Sequence, residues 1–598
     1  MHRFILSAPK SRARSLTQAI SSRDGLRLPL CRRQFSQQSI TQSIRRVNDP
    51  NGGTAKSNDA NQGTPLPDLE ELGAPPQNFA RPTLSSIDFW FRFFKFSAAG
   101  LVIVSGGTAL IFEGAHQYVE HFSLSPERDA SGELACWGWD IEAERWTGGT
   151  RGGTDPALGF KGAHSLRSAW IAQHWGTGTS VLSPASVERA SGQTPIIEAS
   201  LEVAHDFLGL TLALALERQR EGKNLRPETI SELLTRHAAV LERIGSKGSL
   251  YDARIEYERI WDMGVQEQDA ARLALKLGDV SARLGDTEEA REWWSRSLEL
   301  ISGSGVEQAS QSRHAATKLS LPSQLPEDPH AQRVLAAILS SLSAHYAQKG
   351  LLEDSKAVQE AGIKLLSGNA PGEHSESQKI SAPQALHSLY LAHRSSLLAL
   401  HRAEVNHALQ TTDTYETLSE LANAATASER IVSQIASDFS RSDPKFEVDK
   451  KFINSKTLEG PSTSLLRDAR RTAMHAWTLS GVLHEKSASA LAPASSSSTK
   501  RPMWRKLSSS TSSSSAPSAE NQQQLAKEYR YALDCYERAL LWAGVNAKSL
   551  SNGTGENSGP VDGVLAAEWQ ALWSGYNRTR EAILKQATTA TSENIEKK

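Results

Sequence analysis

The feature that most narrows the fold is a spacing that occurs twice. In Gly248-Ser-Leu-Tyr-Asp-Ala253-Arg-Ile-Glu-Tyr257 a glycine precedes an alanine by five positions and an aromatic residue by nine. Gly285-Asp-Thr-Glu-Glu-Ala290-Arg-Glu-Trp-Trp294 keeps the same offsets, and Leu277-Gly278 falls seven positions before Gly285. An alanine and an aromatic four residues apart share one helix face. Small residues let a second helix approach closely, and the aromatic fills the gap that is left. The chain is therefore expected to build stacked pairs of antiparallel helices. Its 598 residues leave room for about four ordinary domains or one long repeat array.

This pattern resembles the tetratricopeptide repeat, whose period is about 34 residues. The 37 positions from Ala253 to Ala290 add a short loop. A third unit is weaker: Leu342, Tyr346 and Gly350 fit, but Ser355 stands in place of the alanine and Gln359 in place of the aromatic. A fourth is split. Trp477 and Gly481 suit a first helix, and Ala532, Tyr536, Ala539 and Leu540 suit a second. Between them the Ser-rich residues 487–519 cannot bury a core and are read as a disordered insertion. Further helices are expected over 196–220, 383–409 and 414–439, with a capping helix over 561–585. An unrelated helical array is the other reading.

The fold class that follows is all-α: a single transmembrane helix, then a tetratricopeptide-like α-solenoid over 195–598 with one disordered insertion. In such a solenoid the first helices line a concave binding face. Outward positions in the best repeat are Arg272, Leu275, Asp279 and Ala282, and in the preceding one Glu242. Of these, Glu242, Arg272 and Asp279 are the candidate protein-binding residues. The expected repeat-packing residues are Gly248, Ala253, Tyr257, Leu277, Gly278, Gly285, Ala290, Trp294, Ala532, Tyr536 and Ala539.

The N-terminal region reads as an address and an anchor. Residues 1–48 are rich in Arg and Ser with Asp24 as their only acid, the composition of a mitochondrial transit peptide. Arg33-Gln34-Phe35-Ser36 resembles a matrix-protease site, which places the cut after Phe35. Residues 36–87 read as a flexible linker. Phe96–Phe112 holds 17 residues without a charge, about the minimum for a spanning helix, and Phe89, Trp90, Phe91, Phe93 and Phe94 supply an interfacial belt. The span with its flanks covers 88–115. Arg92 and Lys95 precede it while Glu113 and Glu120 follow, so the positive-inside bias sends the C-terminal part into the intermembrane space. Gly100, Gly106 and Gly107 with Ser97 and Ser105 give a small-residue face suited to a membrane partner.

A Trp/Gly-rich, membrane-proximal region occupies 116–190. Trp137, Trp139, Trp146, Trp170 and Trp175 are five of the chain's 14 tryptophans, a density that implies a packed subdomain or a contact surface. The run Gly148-Gly149-Thr150-Arg151-Gly152-Gly153-Thr154-Asp155 lacks the ending of a phosphate loop and reads as a structured turn. Cys136, His164 and His174 match no metal spacing. The three cysteines, Cys31, Cys136 and Cys535, form no disulfide framework. Charge is balanced, 66 Lys+Arg against 67 Asp+Glu, which excludes the footprint of a general nucleic-acid binder. No GxSxG, HExxH or GxxxxGK[ST] motif occurs, so no enzyme, cofactor or metal is expected.

The order of parts, with the repeat residues Gly248, Ala253, Tyr257, Leu277, Gly278, Gly285, Ala290 and Trp294, resembles the fungal tetratricopeptide adaptor subunit of the mitochondrial inner-membrane i-AAA protease. The resemblance implies a non-enzymatic adaptor that binds misfolded clients and presents them to the protease. Its partners would be membrane protease subunits, unfolded client proteins and inner-membrane lipid, and no nucleic acid. The Trp/Gly-rich block and the Ser-rich segment lie outside that family's pattern. Three alternatives stay open: an assembly factor for respiratory complex III, an enzyme using the Trp/Gly-rich block, and an outer-membrane repeat protein of the import machinery.

Overall fold

A computed structural model describes residues 80–127, 129, 131–176, 199–265, 267–303, 321–367, 380–437, 446–491, 519–545 and 566–596. The expected transit peptide, nearly all of the linker and residues 492–518 of the Ser-rich segment lie outside them. The chain divides into two units, Met1–Ile111 and Phe112–Lys598. Among the described residues every regular element is a helix, apart from one isolated β-bridge between Ala436 and Val448.

In the first unit the described residues belong to α1 (Ala80–Tyr118). Its apolar side chains are exposed, Ile111 by 77% and Phe91 by 74%, because the uncharged run finds no protein partner. Gly100, Gly106 and Gly107 likewise face open space.

The second unit continues through a π-helical turn, Val119–Ser123, into short α2 (Glu133–Cys136) and α3 (Trp139–Glu142). The array then runs α4 (Gly159–Trp175), α5 (Ala199–Arg220), α6 (Thr229–Ile244), α7 (Lys247–Asp262), α8 (Glu267–Leu284) and α9 (Thr287–Ile301). It goes on with α10 (Pro329–Gln348), α11 (Leu352–Ser367), α12 (Ala382–Leu409), α13 (Thr414–Ile435), short α14 (Lys450–Ile453), α15 (Lys456–Leu491), α16 (Ala519–Trp542) and α17 (Ala566–Glu596). From α4 onward successive long helices pack on one another in adjacent pairs, the arrangement of an α-solenoid. Polar caps set their starts: Asp328 accepts from the amides of His330 and Ala331 ahead of Pro329, and Ser246 accepts from Ser249 N.

Among the described residues, two helices are long and apolar enough to cross a membrane, one over Phe89–Ser123 and the other α5. They differ in packing. The apolar stretch of the first is wholly exposed, whereas 28% of that of α5 is buried, with Leu201, Ala204, Leu208, Leu212 and Ala215 covered by α4 and α6.

Helix pairs close around the residues singled out by spacing. In α8 and α9 a Cβ on Gly278 would lie 2.5 Å from the Trp294 indole, so only glycine lets the ring cross there. Ser297 Oγ donates to Ala271 O at 2.6 Å, and Trp294 Nε1 to Asp279 at 3.2 Å, which fixes an antiparallel register. Ala253, Leu277 and Ala290 are fully buried, and Tyr257 nearly so. The same solution recurs between α15 and α16, where Gly481 meets the Tyr536 ring and Ala532 and Ala539 are buried. This pairing joins helices on either side of residues 492–518. Residues 487–491, expected within the insertion, instead complete α15.

Gly248 and Gly285, also expected to pack helices together, behave differently: a Cβ at either meets nothing within 4 Å, and Gly285 serves a turn at φ 99°. Gly278→Ala is expected to cost about 1–3 kcal/mol through overpacking against Trp294. Gly248→Ala should leave stability unchanged or raise it by up to about 1 kcal/mol. Thermal unfolding of the two variants side by side measures the difference. Equal midpoints would remove the close-approach argument.

Candidate functional site

The Trp/Gly-rich region does not form a separate globule. The described residues between 120 and 158 run as a strap across one face of the array, touching helices far apart in sequence. At one end Glu127 accepts from Ser455 Oγ and Thr457 N, both at 2.9 Å, and Lys456 Nζ donates to Phe122 O and to Ser125 Oγ. At the other end Asp155 accepts from Arg226 N at 3.0 Å and from Thr229 Oγ1 at 2.6 Å, while Arg226 Nη1 donates to Thr147 O.

Between these ends the tryptophans turn inward. Trp139 is 1% exposed, and its Nε1 donates to Pro383 O at the start of α12, 2.9 Å away. The Arg333 guanidinium of α10 lies 3.9 Å from the centre of the same indole, a cation–π contact. Arg333 also donates from Nε to Glu142 at 2.6 Å, from Nη1 to Trp137 O at 2.9 Å and from Nη2 to Gly138 O at 3.0 Å. Gly138 sits at φ 64° with His330 Cβ 2.9 Å from where its own Cβ would be. A side chain there would be strained and would collide. Trp146 lies under Arg236 of α6, and Glu144 pairs with Arg236 at 3.1 Å. Arg145 completes the register against Asp269 of α8.

The electrostatics follow from this pairing. Burial raises the Glu142 pKa, but the His330 hydrogen bond and the charges of Arg333 and Arg272 outweigh it and hold the carboxyl at about 2. Glu144 is also held at about 2: burial opposes, and His174, Arg236 and the Trp146 N–H prevail. His387 is pushed down to about 4, first by burial and then by Arg333. Its Nδ1 accepts from Arg333 Nη1 at 3.0 Å, and its Nε2 donates to Gln332 at 2.9 Å, so the ring is neutral.

The Gly-rich run is a turn folded on its own chain. Gly153 N donates to Leu124 O at 2.9 Å, and Thr154 N donates to Glu120 at 2.8 Å. A Cβ on Gly152 would strike Pro126 at 2.2 Å. The amides that would cradle a phosphate thus face a carboxylate and a carbonyl. Cys136 is exposed, His164 pairs with Glu113 and His174 with Glu144, so the three stand in separate environments.

The residues expected on the concave face are distributed differently. Arg272 lines a cavity of about 1730 Å³ between strap and array, together with Arg236, Tyr390, Arg394 and Asp468. Glu242 is engaged within the array by Lys276 at 3.0 Å and by Tyr257 OH at 3.2 Å. Asp279 accepts from Trp294, and burial raises its pKa. Leu275, expected to point outward, is 6% exposed and belongs to the core, and Ala282 packs against that core. Arg333, Glu142 and Arg236, which hold the strap, carried no motif. The available signal was an arginine inside the apolar N-terminal half of α10, beside Val334 and Leu335.

The fold thus defines a class: a paired-helix array whose open face is crossed by an aromatic and acidic segment of its own. No known family model matches the chain, and no curated protein matches its sequence.

Arg333→Ala removes a cation that is 2% exposed and takes from the half-buried Glu142 its guanidinium partner. It should cost about 3–5 kcal/mol. Adding Glu142→Gln should recover part of that, so the double variant is more stable than the two single costs added together. Denaturant titration of all four proteins reads the coupling, and strict additivity would contradict the pairing.

Acid should loosen the strap. Glu142 is lowered from 4.5 to about 2, so its contribution is complete above pH 4.5 and is lost as pH falls through about 2. His387, lowered from 6.5 to about 4, binds its proton more readily when unfolded, so stability also falls as pH drops below 6.5. His393 and His401, lowered by burial to about 3 and about 4, act in the same direction. The melting temperature is expected to decline from pH 6.5 downward, and His387→Gln should flatten the upper part of that decline.

Proposed function

We propose that the protein is a non-enzymatic, membrane-anchored adaptor: a tetratricopeptide-like scaffold held at the mitochondrial inner membrane, presenting clients to an i-AAA protease. The observation that carries the anchoring is the helix around Phe89–Ile111, whose apolar side chains are exposed along its length. An exposed surface of that size marks a membrane or a protein interface. At 17 uncharged residues the run suits a single bilayer crossing. Helix α5 carries one apolar face covered by α4 and α6 and is left to the array.

The tetratricopeptide reading is supported by the two glycine–aromatic crossings, Gly278 with Trp294 and Gly481 with Tyr536, and by the buried Ala253, Ala290 and Ala532. An anchored array acts by holding a partner near the membrane. Tethering raises the effective concentration of a weakly held client beside a membrane protease. Mitochondrial address and topology rest on the Arg- and Ser-rich leader and on the charges flanking the span.

Affinity purification from gently solubilised mitochondria tests the reading. An i-AAA protease is expected as a stoichiometric partner, with slower turnover of misfolded intermembrane-space proteins when this chain is removed. A C-terminal tag should resist added protease until the outer membrane is ruptured. Normal proteolysis with a specific loss of mature complex III would replace the adaptor by an assembly factor. Digestion of the tag in intact organelles would move the protein to the outer membrane.

A further inference from the structure

The strap occupies the face on which an adaptor would hold its client, and its contacts are mixed: Leu134, Trp139 and Trp146 enter the apolar clusters of the array, while its carboxylates meet cations as a ligand's would. A segment that only closes a core covers apolar side chains. Beneath much of this one lie cationic and polar groups: Arg226, Arg236, Arg272, Arg333, Tyr390 and Arg394. Arg272 makes no hydrogen bond or ion pair among the described residues, although its charge acts on Glu142. The strap matches this face in charge, Glu142 on Arg333 and Glu144 on Arg236. It does not fill the face, because a cavity of about 1730 Å³ remains. Its helices are only four residues long, and glycines bracket it, Gly132 on one side and Gly148 to Gly153 on the other.

We propose that residues 133–147 are an internal ligand, and that the array's partner is an extended segment of another protein with the same chemistry. The defining element is a tryptophan with a carboxylate three residues later. In the chain these are Trp139 and Glu142, and one guanidinium, Arg333, reads both: the indole face at 3.9 Å and the carboxylate at 2.6 Å. The Pro383 carbonyl takes the indole N–H. Tryptophan and arginine are the residue types that dominate binding hot spots, and a partner carrying this pair displaces the strap by competing for a single arginine. The inference rests on the adaptor reading, since it names the kind of segment the adaptor holds.

The test uses the full chain in detergent micelles and a fluorescent peptide of residues 133–147. Wild-type protein should bind the peptide weakly, because the tethered strap competes at high effective concentration. Trp139→Ala in the protein weakens the internal ligand and leaves the face intact, so peptide affinity should rise at least about tenfold. Glu142→Gln, a gentler change that preserves shape, should give a smaller rise in the same direction. Arg333→Ala added to either variant should abolish the gain. Peptides carrying Trp139→Ala or Glu142→Gln should bind about tenfold more weakly. If Trp139→Ala fails to fold, Glu142→Gln decides alone. A folded variant that gains no peptide binding, or a gain indifferent to Arg333, overturns the proposal and makes the strap a permanent staple. The outcome is separable from the adaptor reading: protease co-purification can succeed while peptide exchange fails, and the reverse.

Discussion

A guanidinium at the start of α10 ties the strap to the middle of the array. Arg333 is nearly wholly buried, and a buried cation persists only if its donors are met. They are met by the Glu142 carboxylate, the carbonyls of Trp137 and Gly138, the His387 ring and the face of Trp139. Its partners come from the strap and from α12, so satisfying the charge fixes the path of the strap, the turn at Gly138 and the neutral state of His387 together. The dependence runs in one direction. Remove the cation and each of those features loses its reason.

The rest of the array depends on a more local rule. Two helix pairs close where a glycine passes an aromatic, Gly278 under Trp294 and Gly481 under Tyr536. Such pairs stack in one dimension, each burying its stripe against the next. Stability in such an array is a sum of neighbour terms, and nothing in it links distant helices. The strap supplies that link. Leu134 and Trp139 join the apolar cluster of the C-terminal helices, while Leu124, Trp146 and Leu158 join that of the N-terminal ones. One segment thus couples parts that nearest-neighbour packing leaves independent, and the groups it couples are sensitive to acid.

Under the proposed reading, that coupling gives the face crossed by the strap a state as well as a shape. An open array would offer its inner helices to any chain of suitable charge, whereas a face already holding its own aromatic and acidic segment would admit only a competitor for the same arginine. Selectivity of this kind is a difference between two affinities, one of them intramolecular. Under the proposed adaptor reading, a pre-occupied face would discourage weak, unspecific capture.

The sequence by itself determined the helical class, the pairing of helices and the residues at their crossings. Those properties are local: a 3.6-residue period, an alanine four residues from an aromatic, and a glycine where backbones touch are visible within about 40 residues. The density of tryptophan near the exposed helix also marked that region as a packed subdomain or a contact surface. What the tryptophans contact was not legible. Arg333 lies 191 residues from Glu142, and Trp139 lies 244 from Pro383, and no spacing rule spans such distances. For the same reason Glu242 and Asp279 read as free outward groups, although Lys276 with Tyr257 and Trp294 satisfy them inside the array. A charged residue's helix position shows which way it leaves the backbone. Whether water, a ligand or the chain's own strap meets it there is decided only when the tertiary structure brings remote segments within hydrogen-bonding distance.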